Sequence, residues 1–132
     1  MRIEHIAIWT ERLELLKDFY VKYFEAQVDA DYFNPKKNFR SYFLSFSSGS
    51  RLELMQMPTI PPTKDDPYQQ FRGIIHFAFE VRRKEEVDQL TEDLAQAGFE
   101  VVGQPRMTGD GYYESVIFDP DHNRVEIAFK PS

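Results

Sequence analysis

The sequence predicts an α+β fold built from two tandem βαβββ modules, whose strands form a curved mixed sheet with the helices on its outer face. Three observations predict it. Ile3-Glu-His-Ile-Ala7 is echoed by Ile74-Ile-His-Phe-Ala78, and Arg51-Leu-Glu-Leu54 by Arg124-Val-Glu-Ile127, at offsets of 76 − 5 = 71 and 124 − 51 = 73. The same order of strand and helix periodicities follows each first motif. Between the halves, residues 58–72 hold four of the eight prolines, Pro58, Pro61, Pro62 and Pro67, as a surface linker would.

Each element has its own signal. Residues 2–9 alternate and contain Ile and Trp, which suits a strand. Thr10 is the expected N-cap of a helix over about 11–24, with Leu13, Leu16, Phe19, Tyr20, Tyr23 and Phe24 as its apolar stripe. Strands are expected near 26–33, 39–47 and 51–57, joined by turns at Asn34-Pro-Lys-Lys37 and Ser47-Ser-Gly-Ser50. In the second half a strand is expected over 73–81. A helix over 83–97 follows, with Val87, Leu90, Leu94 and Ala97 inward and Gly98 as its stop. Strands near 99–103, 112–118 and 124–130 complete the module, and Asp119-Pro-Asp-His-Asn123 reads as a tight turn. Module one is 1–57 and module two 73–132. Neither would bury much core alone, so the expectation is one domain over 1–132.

Composition narrows the function. A hydrophobic fraction of 42% supports a packed core, and a net charge of −6 argues against nucleic-acid or anionic-membrane surfaces. With no cysteine, disulfides, thiolate metal sites and a cysteine nucleophile are excluded. The start, Met-Arg-Ile-Glu-His, is charged where a secretory signal is apolar, and no apolar run reaches membrane-span length. The expected location is the cytoplasm.

Strand parity gathers the chemistry. Ile3, His5, Ala7 and Trp9 share one face, as do Ile74, His76, Ala78 and Glu80, while the bulky residues between them take the other. Glu53 shares its face with Arg51, Met55 and Met57, and Glu126 with Arg124 and Ala128. A carboxylate interrupting an apolar strand is costly unless it is paired or metal-bound. A single strand histidine is more often structural than a ligand, but here both halves carry His and Glu in matching places. His5, Glu53, His76 and Glu126 are therefore candidate ligands of one divalent ion, among Zn, Ni, Co, Mn and Fe. An octahedral shell would keep two open positions for chemistry. Trp9, Met55 and Met57, which are equally explained as core residues, and Tyr113, from the aromatic-tipped segment Thr108-Gly-Asp-Gly-Tyr-Tyr113, are candidate pocket residues. That segment reads either as a lid or as a plain hairpin connection. His122 is expected in a turn, exposed and without a role.

At this point the chain resembles the vicinal oxygen chelate superfamily, which includes glyoxalase I (lactoylglutathione lyase), extradiol dioxygenases, methylmalonyl-CoA epimerase, fosfomycin-resistance proteins and bleomycin-binding proteins. The stretches carrying the resemblance are Glu4-His-Ile-Ala7, Asp18-Phe-Tyr20 with Tyr23-Phe-Glu-Ala26, and above all Phe118-Asp-Pro-Asp-His-Asn-Arg-Val-Glu-Ile127. His5, Glu53, His76 and Glu126 match the four ligand positions of glyoxalase I-like members. Dioxygenases and fosfomycin-resistance enzymes lack the ligand at the Glu53 position. The resemblance implies a lyase or isomerase acting on the hemithioacetal of a 2-oxoaldehyde and a small thiol. Its metal would stabilise an enediolate while Glu126 or Glu53 moves a proton between adjacent carbons. It also leans to a homodimer. One departure is that Leu16-Lys17-Asp18 stands where glyoxalase I proteins often carry an arginine that holds the thiol's carboxylate. Two other classes remain open: another metalloenzyme of the superfamily (epimerase, dioxygenase or thiol transferase), and a non-enzymatic protein that binds a small molecule or drug.

Overall fold

In the computed structural model, residues Met1–Ser132 are all described, and the chain divides into two compact units, Met1–Lys64 and Asp65–Ser132. The boundary falls inside the proline-rich stretch. The first unit contains β1 (His5–Trp9), α1 (Leu13–Phe24), β2 (Gln27–Asn34), β3 (Phe39–Ser45) and β4 (Arg51–Gln56). The second contains β5 (His76–Glu80), α2 (Lys84–Gln96), β6 (Val101–Met107), β7 (Tyr113–Phe118) and β8 (Arg124–Phe129). Each unit is βαβββ, and each forms a four-stranded mixed sheet. The strand orders are β1-β4-β3-β2 and β5-β8-β7-β6.

The first and last strands of each unit pair in parallel, with the same register in both. His5 lies opposite Arg51 and Ala7 opposite Glu53; His76 lies opposite Arg124 and Ala78 opposite Glu126. The remaining pairings are antiparallel. The duplication seen in sequence is therefore a duplication of hydrogen-bond register.

In the first unit, Leu13, Leu16, Phe19, Tyr20 and Phe24 of α1 are buried with Leu44, Leu52 and Leu54 of the sheet. The first turn of α1 is held differently from the sequence expectation. Thr10 is not the cap: its hydroxyl accepts the Arg12 N–H at 3.0 Å, and the helix starts at Leu13. The Leu13 N–H instead donates to Oε1 of Gln56 at 3.2 Å, while Gln56 Nε2 donates to the Glu11 carbonyl at 3.1 Å. A residue at the end of β4 thus satisfies one of the helix's unpaired donors. This ties β4, which carries Glu53, to the helix.

In the second unit, Val87, Thr91 and Leu94 of α2 are buried, along with Ile117, Val125 and Ile127. The inward stripe differs from the expected one, because Ala97 is exposed and Thr91 takes a core position. Thr91 is tolerated there because its hydroxyl donates to the Val87 carbonyl at 2.6 Å and stands 2.7 Å from the Ser115 hydroxyl. Gly98, at φ +94°, ends α2 in a Schellman pattern: Phe99 N–H bonds the Leu94 carbonyl and Gly98 N–H the Ala95 carbonyl. β6 runs past the expected 99–103 to Met107, and Pro105 fits because β6 is an edge strand with bulges.

Candidate metal centre

The tight turns bring the carboxylates into place. Asp119, almost wholly buried, accepts the backbone N–H groups of Asp121 and Asn123 through Oδ1, both at 2.9 Å. Its Oδ2 accepts the Asn123 side-chain amide at 2.8 Å. His122 adopts a left-handed φ of 64° within this turn, and β8 starts two residues later. The Asp-Pro-Asp-His-Asn segment is thus the device that sets the register of Glu126. In the first unit the Ser50 hydroxyl donates to the Ile3 carbonyl at 2.6 Å, and the Arg51 N–H to the Glu4 carbonyl at 2.9 Å. These bonds clip β4 to β1 and so set Glu53.

In a parallel pair, register partners point to the same face. Each His and Glu are accordingly diagonal neighbours, with Ala7 or Ala78 as the strand partner of the glutamate. His5 Nε2 stands 3.7 Å from Glu53 Oε1, and His76 Nε2 stands 3.2 Å from Glu126 Oε1. The histidine side chains are 40% exposed and the glutamates 14% and 16%, so the carboxylates are withdrawn and the imidazoles reach outward. Two donors each about 2.1 Å from one ion lie roughly 3.0–3.4 Å apart. The second pair is within that range, and the first needs a shift of a few tenths of an ångström. The structure brings each His–Glu pair together but gathers no group of three or more His, Asp or Glu that could hold a metal ion.

The two pairs differ in their surroundings. Nδ1 of His5 is hydrogen-bonded to Glu4 Oε2. Glu4 in turn accepts from Arg51 Nε at 2.7 Å, and Arg51 Nη1 donates to Asp29 at 2.8 Å. The His5 bond, offset in part by desolvation and aided by Arg51, holds the Glu4 carboxyl below the ordinary glutamate range. Phe43, the antiparallel neighbour of Glu53, meets His5 edge-on at 5.2 Å and lies under the Arg51 guanidinium at 4.3 Å. In the second unit, Ile75 stands at the place of Glu4. Arg124 turns instead to the Pro67 carbonyl at 3.2 Å and packs over Phe118, and its buried Nε finds no acceptor. On the same face Glu114, the sheet neighbour of Ala128, is held above the ordinary glutamate range, first by burial and then by the charge of Glu126.

Among the candidate pocket residues, Trp9 and Met55 are register partners on the His5 face, and Trp9 meets Phe39 edge-on at 6.0 Å. Met57 lies just past β4 and is half-buried. Tyr113 is directed elsewhere. Its hydroxyl donates to Asp88 of α2 at 2.5 Å and Lys84 lies 4.7 Å over its ring, so it faces the helix, away from Glu126. The parity of β7 explains this: Tyr113 shares its face with Ser115, which meets α2. The segment before it is a β6–β7 hairpin closed by Thr108, whose N–H bonds the Tyr112 carbonyl at 2.8 Å. His122 is exposed, with its ring 5.2 Å from that of Phe118. Sequence parity missed Glu4, because Glu4 precedes the first strand residue and the alternation does not govern its side chain. It also missed Glu114, whose signal was its register against Glu126 and Ala128.

A sequence profile of the Glyoxalase/Bleomycin resistance protein/Dioxygenase superfamily matches residues 2–127, and the chain belongs to that superfamily. It is 28% identical over 134 residues to the uncharacterized protein YqjT of Bacillus subtilis (strain 168), covering 95% of this chain and 96% of that one. Among solved structures it is similar to a glyoxalase family protein from Enterococcus faecalis, with a TM-score of 0.74, 27% identity and 96% of each chain covered. The trypanothione-dependent glyoxalase I of Leishmania major shares the fold, with a TM-score of 0.76 at 20% identity, covering 98% of this chain and 87% of that one.

Proposed function

We propose that the protein is a divalent-metal-dependent lyase or isomerase of the glyoxalase I type, acting on the hemithioacetal of a 2-oxoaldehyde and a small thiol. The observation that carries this reading is the repeated pair. Both units place a histidine and a glutamate on one sheet face in one register, with an alanine leaving space beside them. Two imidazoles and two carboxylates make a hard-to-borderline donor set, and superfamily membership supports a metal of that class. His5, Glu53, His76 and Glu126 would hold the ion, and bound there it would polarise the vicinal oxygens of a substrate.

The chain's own residues supply the rest. Glu126 or Glu53 is the base, since a carboxylate beside the reacting carbons can take a proton from one and return it to the next. Trp9 and Met55 give the His5 face an apolar wall for the aldehyde-derived part of the substrate. The test is turnover of methylglyoxal with a panel of thiols by the metal-loaded protein and its Glu126→Gln variant. We expect the variant to lose at least about a hundredfold in kcat, in keeping with removal of a general base. Full turnover by a metal-loaded Glu126→Gln protein removes Glu126 from that role.

A further inference from the structure

We propose that Glu4 is a positioning residue for His5: it holds the imidazole proton on Nδ1, so that the Nε2 lone pair is presented on the Glu53 side before any ligand arrives. The inference rests on the reading of His5 as a metal ligand for its consequence, but not for its geometry. His5 Nδ1 is hydrogen-bonded to Glu4 Oε2, and a carboxylate can only accept, so the proton of that bond belongs to the ring. The other ring nitrogen lies 3.7 Å from Glu53, too far for a hydrogen bond that would compete for the proton.

Glu4 is itself fixed. Arg51 donates to its Oε1 from Nε at 2.7 Å and approaches it with Nη2 at 2.5 Å. Asp29 anchors the far end of the guanidinium at 2.8 Å, and Phe43 packs against both Arg51 and His5. The chain Asp29–Arg51–Glu4–His5 thus runs from β2 across the sheet to the ligand nitrogen.

The second unit is an internal control. Ile75 replaces Glu4, no side chain partners Nδ1 of His76, and Arg124 is bound to a backbone carbonyl instead. Glu126 lies 3.2 Å from Nε2 of His76 but makes no hydrogen bond with it, so the tautomer of His76 is not held as that of His5 is. His5 is preset for a ligand at Nε2, and His76 is not.

The experiment is long-range proton–nitrogen correlation NMR on metal-free, histidine-labelled full chain at pH 8, with resonances assigned through His5→Gln and His122→Gln. The expected result is Nδ1–H for His5 and a mixed population for His76. Glu4→Ala should return His5 to a mixed or Nε2–H population. Glu4→Gln keeps a carbonyl acceptor and should retain Nδ1–H, a rescue that a merely structural role of the charge would not give. An Nε2–H tautomer at His5, or one unchanged by Glu4→Ala in a protein whose circular dichroism is wild-type, overturns the inference. Affinity for Co(II), read by competition with a chelator, should fall about 10–100-fold in Glu4→Ala. Equal affinity in wild type and Glu4→Ala also overturns it. Failure of the wild type to bind Co(II) overturns the proposed function instead, while the tautomer result still decides the role of Glu4.

Discussion

Glu114 shows what a single carboxyl does on this sheet. Burial and the neighbouring charges of Glu126 and Asp110 raise its pKa, and Arg106 and His76 oppose the rise. A carboxyl with a raised folded pKa binds more protons folded than unfolded. Stability then falls as pH rises from the ordinary glutamate value through the raised one. We predict that Glu114→Gln raises the thermal midpoint of the metal-free protein at pH 7, and that the gain disappears near pH 4. A gain that persisted at pH 4 would mean packing and not charge. Glu4 has the opposite sign. Its depressed pKa supports the folded state at neutral pH, and that support is lost as pH falls through the folded value. Parity arguments placed His5, Glu53, His76 and Glu126 on their faces, because alternation is fixed by strand geometry. They could not place Glu4, which lies outside its strand, and Tyr113, expected in the pocket, is turned to the helix by the parity of β7.

At the scale of elements, α2 is held to its sheet by a buried hydroxyl pair that hydrophobic periodicity does not reveal. Thr91 gives its one proton to the Val87 carbonyl, so Ser115 must donate to Thr91. Thr91→Val leaves the Ser115 hydroxyl buried without its acceptor. The expected loss is about 1–3 kcal/mol in denaturant unfolding, with much of it recovered in Thr91→Val/Ser115→Ala. Simple additivity of the two substitutions would show that the pair is not coupled. In α1, Gln56→Ala removes the side chain that caps Leu13 from β4. A loss of about 1 kcal/mol is expected, close to that of a lost N-cap, whereas Thr10→Ala should cost less. Existence and order of every helix and strand were legible from apolar spacing. The start of α1 was not, because its cap comes from a residue 43 positions away. The length of β6 was not, because its bulges between Val101 and Arg106 break the regular alternation of a strand.

For the molecule as a whole, the repeat turns two ordinary pairs into a specific claim. Each unit has its own sheet, core and His–Glu pair. No helix is long and apolar enough to cross a membrane. The proposed function needs one ion held by His5, Glu53, His76 and Glu126, whether within a chain or between chains of a two-fold dimer. The most direct test is the metal stoichiometry of protein reloaded with Ni, Co, Zn or Mn, compared with His5→Ala and His76→Ala. The account predicts one ion per chain in the wild type and at least about a hundredfold weaker binding when either histidine is removed, since a four-donor shell loses a ligand in both cases. Two ions per chain, each lost with only one of the two histidines, would contradict it, as would a wild-type protein that binds none.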